Sequence, residues 1–169
     1  MTKTSSPAEF TCIDFLRHGE CEGGEIFRGS GSDVALTDKG WQQMRGSVQE
    51  LSGWDSIITS PLQRCRRFAT EQSERLSIPL TENTNWREIH FGDWEGRLMA
   101  DVWKESPDLV ASYFKDPNQS TPHNGEPFAD VAEEEGSLAN QSQVVVFNLV
   151  EEGFIASTDH NQGTSLCGT

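Results

Sequence analysis

Four consecutive residues, Arg17-His18-Gly19-Glu20, follow a short apolar segment and bring an imidazole, a guanidinium and a glycine together. This combination at the end of a strand is typical of phosphate chemistry, with His18 as the candidate nucleophile. His18 could instead be a capping or core histidine. Its position between Arg17 and Gly19 favours the catalytic interpretation.

Arg64 is the second candidate. It lies four residues after Ser60, where a Ser-Pro pair predicts the start of a helix running from Pro61 to about Leu76. From the first turn of that helix, its bidentate guanidinium could meet an anion near the helix N-terminus. It could also pair with Glu71 or Glu74 on the helix surface.

The predicted elements bring these two candidates to one edge of a sheet. Apolar segments predict strands over residues 11–16 and 55–59, and Thr37 caps a predicted amphipathic helix over residues 38–51. Strand, helix, strand and helix in this order predict a parallel βαβ unit. Ligands of such sheets lie beyond the carboxyl ends of the strands, where His18 and Ser60 both stand.

Length and composition predict one soluble α/β domain. The 169 residues are 34% apolar and contain neither a signal-peptide core nor an apolar run long enough to span a membrane. We therefore expect a cytoplasmic protein without membrane association. The four scattered cysteines indicate reduced thiols and predict neither a metal site nor a disulfide framework.

The net charge of −14 argues against a nucleic-acid partner. All 13 Lys and Arg residues lie between Lys3 and Lys115, so the chain changes character near residue 132. We expect a flexible N-terminus over residues 1–9, a domain over 10–131 and an atypical acidic tail over 132–169.

Three motifs, in this order and at these separations, resemble the histidine phosphatase superfamily, which includes the cofactor-dependent phosphoglycerate mutases. They are residues 15–20 (FLRHGE), 59–64 (TSPLQR) and 86–96 (WREIHFGDWEG), and the resemblance covers about residues 10–130. It implies a three-layer α/β/α fold with a mostly parallel sheet. Residues 91–96 and 124–126 further resemble the alpha-ribazole phosphatase branch, which removes a phosphate from a cobalamin precursor.

The resemblance also implies roles for individual residues. His18 would attack phosphorus and form a phosphohistidine that water cleaves, while Arg17 and Arg64 would hold the nonbridging oxygens. Glu88 would donate a proton to the leaving oxygen, with its pKa raised by apolar neighbours; Glu95 is a nearby rival. No metal or cofactor is required.

The chain departs from the family after the predicted late strand over residues 143–150. Relatives carry a second catalytic histidine there, followed by glycine, whereas this chain has Asn148, and His160 comes some ten residues too late. Gly24 stands where many relatives have asparagine. A change of reading frame or a gene fragment would produce such a break and leave the fold incomplete at the C-terminus.

Two functions of different class therefore remain open. The first is a phosphomonoester hydrolase acting on a small anionic metabolite, with alpha-ribazole 5'-phosphate as one candidate. The second is an impaired relative that binds phosphate without efficient turnover, and a mutase is a lesser alternative. The sequence predicts no oligomeric state.

Other residues receive simpler predictions. We expect His90 and His123 to be ordinary loop residues, and Arg66 and Arg67 to be solvated. Aromatic and apolar residues between Trp103 and Phe114 predict short helices over the mouth of the site, where substrate contacts are expected. Trp41, Trp54 and Trp94 are interpreted as core or lid packing.

Overall fold

A computed structural model describes residues 11–130, 143–147 and 164–168. Its strands are β1 (Thr11–Leu16), β2 (Ser56–Thr59), β3 (Leu80–Glu82), β4 (Gln143–Phe147) and β5 (Thr164–Gly168). Its α-helices are α1 (Asp38–Val48), α2 (Gln63–Leu76), α3 (Met99–Glu105) and α4 (Pro107–Lys115). Two short 3-10 turns lie at Thr84–Trp86 and Gly92–Trp94.

The five strands form one sheet in the order β3-β2-β4-β1-β5, parallel except for β5, which runs antiparallel to β1. The predicted parallel direction of β1 and β2 is confirmed, but β4 lies between them. Leu16 of β1 and Thr59 of β2 both pair with Phe147 of β4. The three strands therefore end at the same edge of the sheet, side by side.

Alternating side chains of the strands divide the core between the two faces of the sheet. On one face, Met44 and Val48 of α1 and Phe68 of α2 pack with Leu16 and Ile57. A smaller cluster holds the neighbouring strand positions: Ile13, Phe15 and Ile58, together with Trp86. This period-two alternation is that of a strand packed on both faces.

Both predicted helices are present, with corrected ends. The Oγ1 of Thr37 accepts a hydrogen bond from the Gly40 N–H at 3.0 Å, as an N-cap does, and α1 ends at Val48. The prediction of Ser60 as the N-cap of α2 was wrong. The first N–H group of α2 has another acceptor, because the carboxylate of Asp33, in a distant loop, accepts from the Gln63 N–H at 2.7 Å.

The predicted short helices α3 and α4 are confirmed, and they build a second apolar cluster. Phe27, Phe91, Trp94 and Tyr113 are buried in it together with Val102 and Val110. None of the helices in the described ranges is long and apolar enough to cross a membrane.

Burial confirms the packing roles of the three tryptophans. Trp54 is buried, and its Nε1–H donates to the Asp14 carboxylate at 2.6 Å. Trp94 is buried among other rings, and Trp41 is partly buried against Phe68.

The His18 loop lies directly on the backbone of α1, which requires glycine on both sides. A Cβ at Gly40 would lie 2.0 Å from the carbonyl oxygen of Glu20, and a Cβ at Gly19 would lie 2.3 Å from the carbonyl oxygen of Gly40. Both clashes are with backbone atoms, which cannot move aside as a flexible side chain can. This contact fixes the start of α1 against the loop that carries His18.

The contact predicts opposite effects for two glycines of the same helix. Gly40→Ala should lower the free energy of unfolding by about 2 kcal/mol, because the methyl group forces two backbones apart. Gly46→Ala should raise it by roughly 0.5–1 kcal/mol, because Gly46 has open space around it and alanine favours the helix. Urea denaturation of the two variants measures both values. Equal effects would show that the close approach is not rigid.

Candidate active site

His18 lies in the loop that leaves β1 at the carboxyl edge of the sheet. Its Nδ1 is 2.9 Å from the carbonyl oxygen of Gly19. A carbonyl oxygen only accepts hydrogen bonds, so we assign the proton of the neutral ring to Nδ1. The Nε2 lone pair is then available for reaction. The Cys21 thiol donates to the same Gly19 oxygen at 3.3 Å.

Burial holds the His18 ring in its neutral form. Its pKa is lowered to about 4, chiefly by loss of solvent and further by the positive charges of Arg64, Arg17 and Arg28. The hydrogen bond to Gly19 opposes this shift without reversing it. At neutral pH the ring is therefore uncharged, which is the state a nitrogen nucleophile needs.

A cavity of about 490 Å³ opens beside His18. Arg17, His18 and Glu88 all line it, so the structure brings together three of the four residues predicted for the site. The remaining lining residues are Gly24, Glu25, Ile26, Phe27, Arg28, Phe91, Met99 and Phe114.

Glu88 is a buried carboxyl, only 4% exposed. Burial raises its pKa to about 7, although the charges of Arg64 and Arg17 act in the opposite direction. One carboxyl oxygen accepts a hydrogen bond from the Ile89 N–H at 3.2 Å. Glu88 therefore carries a proton in a substantial fraction of molecules at neutral pH, as an acid catalyst requires.

Glu95, the rival of Glu88, holds a loop. Its carboxylate accepts hydrogen bonds from the N–H groups of Gly29 and Gly31 at 3.2 Å, and from the Ser32 hydroxyl at 2.6 Å. It also accepts from the N–H of Phe91 at 3.1 Å. A carboxylate with four donors is committed as an acceptor, so Glu95 is a positioning residue of the segment 28–32, hereafter the 28–32 loop.

Arg64 holds the same loop from the other side. It is fully buried and donates to the carbonyl oxygens of Ser32 at 2.9 Å and Arg28 at 3.3 Å, while its Nε–H has no hydrogen-bond partner among the described residues. The alternative pairing with Glu71 is not observed, because Arg45 binds that carboxylate at 2.6 Å. Arg64 is not among the residues that line the cavity, and its contact with phosphate stays a prediction.

Arg28 lines the cavity and was missed by the sequence analysis. Its Nη2 donates to the carbonyl oxygens of Glu22 and Gly24 at 3.0 and 2.6 Å, and its buried Nε–H has no hydrogen-bond partner. The available signal was that Arg28 is the only basic residue in the glycine-rich segment 21–31. It belongs to none of the three motifs and was passed over for that reason.

His90 and His123 do not line the cavity. His90 accepts from the Gly92 N–H, and His123 contacts the Asp93 carboxylate in an exposed turn, as expected of loop residues. Asn148 and His160 lie outside the described residues. Within the described ranges, no group of three His, Cys, Asp or Glu side chains is arranged to hold a metal ion.

The chain is similar to several known bacterial proteins. An adenosylcobalamin/alpha-ribazole phosphatase of Salmonella typhimurium is 31% identical over 116 residues, 67% of this chain and 57% of that one. A bifunctional protein of Mycobacterium tuberculosis is 32% identical over 125 residues, 72% of this chain. The chain thus spans only about a third to a little over half of these relatives, 34% in the mycobacterial case.

Solved structures share the fold. A mycobacterial glucosyl-3-phosphoglycerate phosphatase in complex with VO3 superimposes with a TM-score of 0.71 at 25% identity, covering 83% of this chain and 76% of the other. The profile of the histidine phosphatase superfamily, branch 1, matches residues 13–140, a range that contains every residue found around the cavity. The chain belongs to the histidine phosphatase superfamily.

Proposed function

We propose that this protein hydrolyses phosphomonoesters through a phosphohistidine on His18. The observation that carries the proposal is a neutral imidazole sharing one cavity with a buried carboxyl whose pKa lies near 7. The Nε2 of His18 forms a bond to phosphorus as the bond to the ester oxygen breaks. In the second step, the oxygen of a water molecule forms a bond to phosphorus, which releases His18 and inorganic phosphate.

In this proposal Glu88 donates a proton in the first step and accepts one in the second. Its carboxylic acid protonates the leaving oxygen, so that an alcohol departs instead of an alkoxide. The resulting carboxylate then accepts a proton from the attacking water. Because its pKa lies near 7, the same group can give and retake the proton.

Arg17 and Arg28 are proposed to bind the nonbridging phosphoryl oxygens. Both line the cavity, and the positive charges of both reach His18. Among the described residues, no group accepts from the buried Nε–H of Arg28, and such a donor is costly unless a ligand or water accepts from it. Arg64 is proposed to bind the phosphoryl group as the sequence predicts, and it also holds the 28–32 loop through the carbonyl oxygens of Ser32 and Arg28.

The proposed substrate is a small phosphorylated metabolite in the cytoplasm. Alpha-ribazole 5'-phosphate is one candidate, supported by the relative from Salmonella typhimurium and by the resemblance of residues 91–96 and 124–126. The net charge of −14 disfavours a nucleic acid as substrate.

An impaired relative is the second candidate, and one observation favours it. β4 ends between β1 and β2 at the edge that carries His18, and the sequence continues with Asn148 where relatives carry a second catalytic histidine. The loss of such a group would slow phosphoryl transfer without removing the nucleophile. This candidate predicts phosphate binding with feeble turnover.

Rapid mixing with p-nitrophenyl phosphate tests the nucleophile. We expect a burst of up to one equivalent of p-nitrophenol per chain, because with this good leaving group the phosphohistidine forms faster than water cleaves it, followed by a lower steady rate. His18→Asn should abolish the burst and lower the steady rate by roughly 10³-fold or more. His123→Asn, which changes an exposed histidine, should leave both unchanged. Hydrolysis that survives His18→Asn contradicts the proposal, and rapid steady turnover contradicts the impaired alternative.

The pH profile tests the proton donor. The kcat/KM for an alkyl phosphate should be highest between pH 4 and 7, because His18 must be neutral, above about 4, and Glu88 protonated, below about 7. Glu88→Gln should lower it by roughly 10²–10⁴-fold, and far less for p-nitrophenyl phosphate, whose leaving group needs no proton. An equal loss on both substrates would show that Glu88 is not the donor.

Glu88 also predicts a pH dependence of stability that needs no activity. Its folded-state pKa of about 7 lies above the ordinary 4.5, so the folded protein binds the proton more tightly than the unfolded chain. The contribution of Glu88 to stability is therefore lost as pH rises from 4.5 to 7, on the order of 3 kcal/mol. His18, whose folded-state pKa of about 4 lies below its ordinary 6.5, contributes in the opposite direction over much of this range. In urea denaturation at pH 5 and pH 8, Glu88→Gln should remove the Glu88 contribution, so that the variant gains stability with rising pH relative to the unmodified protein. The exposed substitution Glu74→Gln should preserve the Glu88 contribution, and a parallel pH response of all three proteins would exclude a buried Glu88.

A further inference from the structure

The cavity beside His18 has a second, apolar set of lining residues that the phosphoryl group does not need. Ile26, Phe27, Phe91, Met99 and Phe114 belong to it. The volume of about 490 Å³ lies in the roughly 300–1,000 Å³ range of cavities that enclose small organic molecules. The cavity therefore has room for the organic part of an ester as well as for its phosphate.

The ring of Phe114, which lines the cavity, and the ring of Trp103, which is parallel to it, remain open to solvent. Phe114 is 43% exposed and Trp103 is 40% exposed, although both belong to an aromatic cluster. Their rings are parallel, with centroids 6.2 Å apart, and Phe114 also contacts the buried Phe27 with centroids 6.3 Å apart. Phe114 is thus held on two sides while it lines the cavity, which suits a stacking surface for a flat ligand.

The charges around the cavity disfavour a second anionic group on the ligand. Arg17 and Arg28 are the cations among the described lining residues, and both act on the His18 ring. Glu25 adds an exposed carboxylate to the lining. A substrate that carries a carboxylate besides its phosphate would meet repulsion from Glu25 without a further cation to bind.

We infer that the cavity selects phosphomonoesters with an uncharged aromatic leaving group, stacked on Phe114. Phe114 and Glu25 are then specificity-determining residues: the first attracts the ring, and the second repels acidic competitors. The inference rests on the proposed function, because the phosphate must lie beside His18 for the ring to reach Phe114.

Binding of phosphonates tests the selection without requiring turnover. Titration calorimetry compares butylphosphonate, 4-phenylbutylphosphonate and 4-carboxybutylphosphonate, which share a headgroup and a four-carbon linker. We expect the phenyl compound to bind about 3- to 10-fold more tightly than butylphosphonate, as an added aromatic contact allows. The carboxylate compound should bind several-fold more weakly than butylphosphonate.

Two pairs of variants test whether Phe114 and Glu25 determine the preference among the three phosphonates. Phe114→Ala should remove most of the advantage of the phenyl compound, whereas Leu109→Ala, a similarly exposed residue of α4 outside the cavity lining, should preserve it. Glu25→Gln should strengthen binding of the carboxylate compound more than that of butylphosphonate. The exposed neighbour Glu22, also outside the lining, is the matched control as Glu22→Gln.

The possible failures are distinguishable. Equal affinity for the three phosphonates, or a phenyl advantage that survives Phe114→Ala, would overturn the inference while a His18-dependent burst still supports the proposed function. Absence of binding by all three, together with absence of the burst, would overturn both.

Discussion

The 28–32 loop lacks regular secondary structure, so its buried N–H and C=O groups need partners from elsewhere in the chain. Glu95 accepts from its N–H groups, and Arg64 donates to its carbonyl groups. The anionic side chain thus binds the N–H groups of the loop, and the cationic side chain binds its carbonyl groups. Arg28 begins this loop and lines the cavity. The position of a proposed phosphate ligand therefore depends on Glu95 and Arg64, which are not among the residues lining the cavity.

The local elements were largely predictable, because their signals are local. Thr37 marked the start of α1, the apolar residues 11–16 marked β1, and His18 and Glu88 were found from motifs. The position of β4 between β1 and β2 was not predictable, because the neighbours of a strand far along the chain depend on tertiary packing. The start of α2 was missed for the same reason, since its acceptor, Asp33, comes from a separate loop.

The site residues divide in the same way. A motif reveals which side chains are present but not where each guanidinium points, so Arg28, which lines the cavity, was overlooked. Glu88 and Glu95 looked alike in sequence, seven residues apart. Their environments separate them, because Glu95 accepts from four donors, whereas Glu88 is buried and accepts from the N–H of its neighbour Ile89. Hydrogen-bond partners contributed by distant segments are what the sequence alone could not supply.

The buried carboxyl of Glu88 has a consequence for how a ligand enters. A phosphate dianion bound beside His18 would place negative charge near Glu88 and favour its protonated form still further. By linkage, protonation of Glu88 must then strengthen the binding of the dianion to the same extent. Near neutral pH, substrate and proton are therefore expected to arrive together, so that the complex draws a proton from the buffer as it forms. Binding of the dianion would in this way itself protonate Glu88.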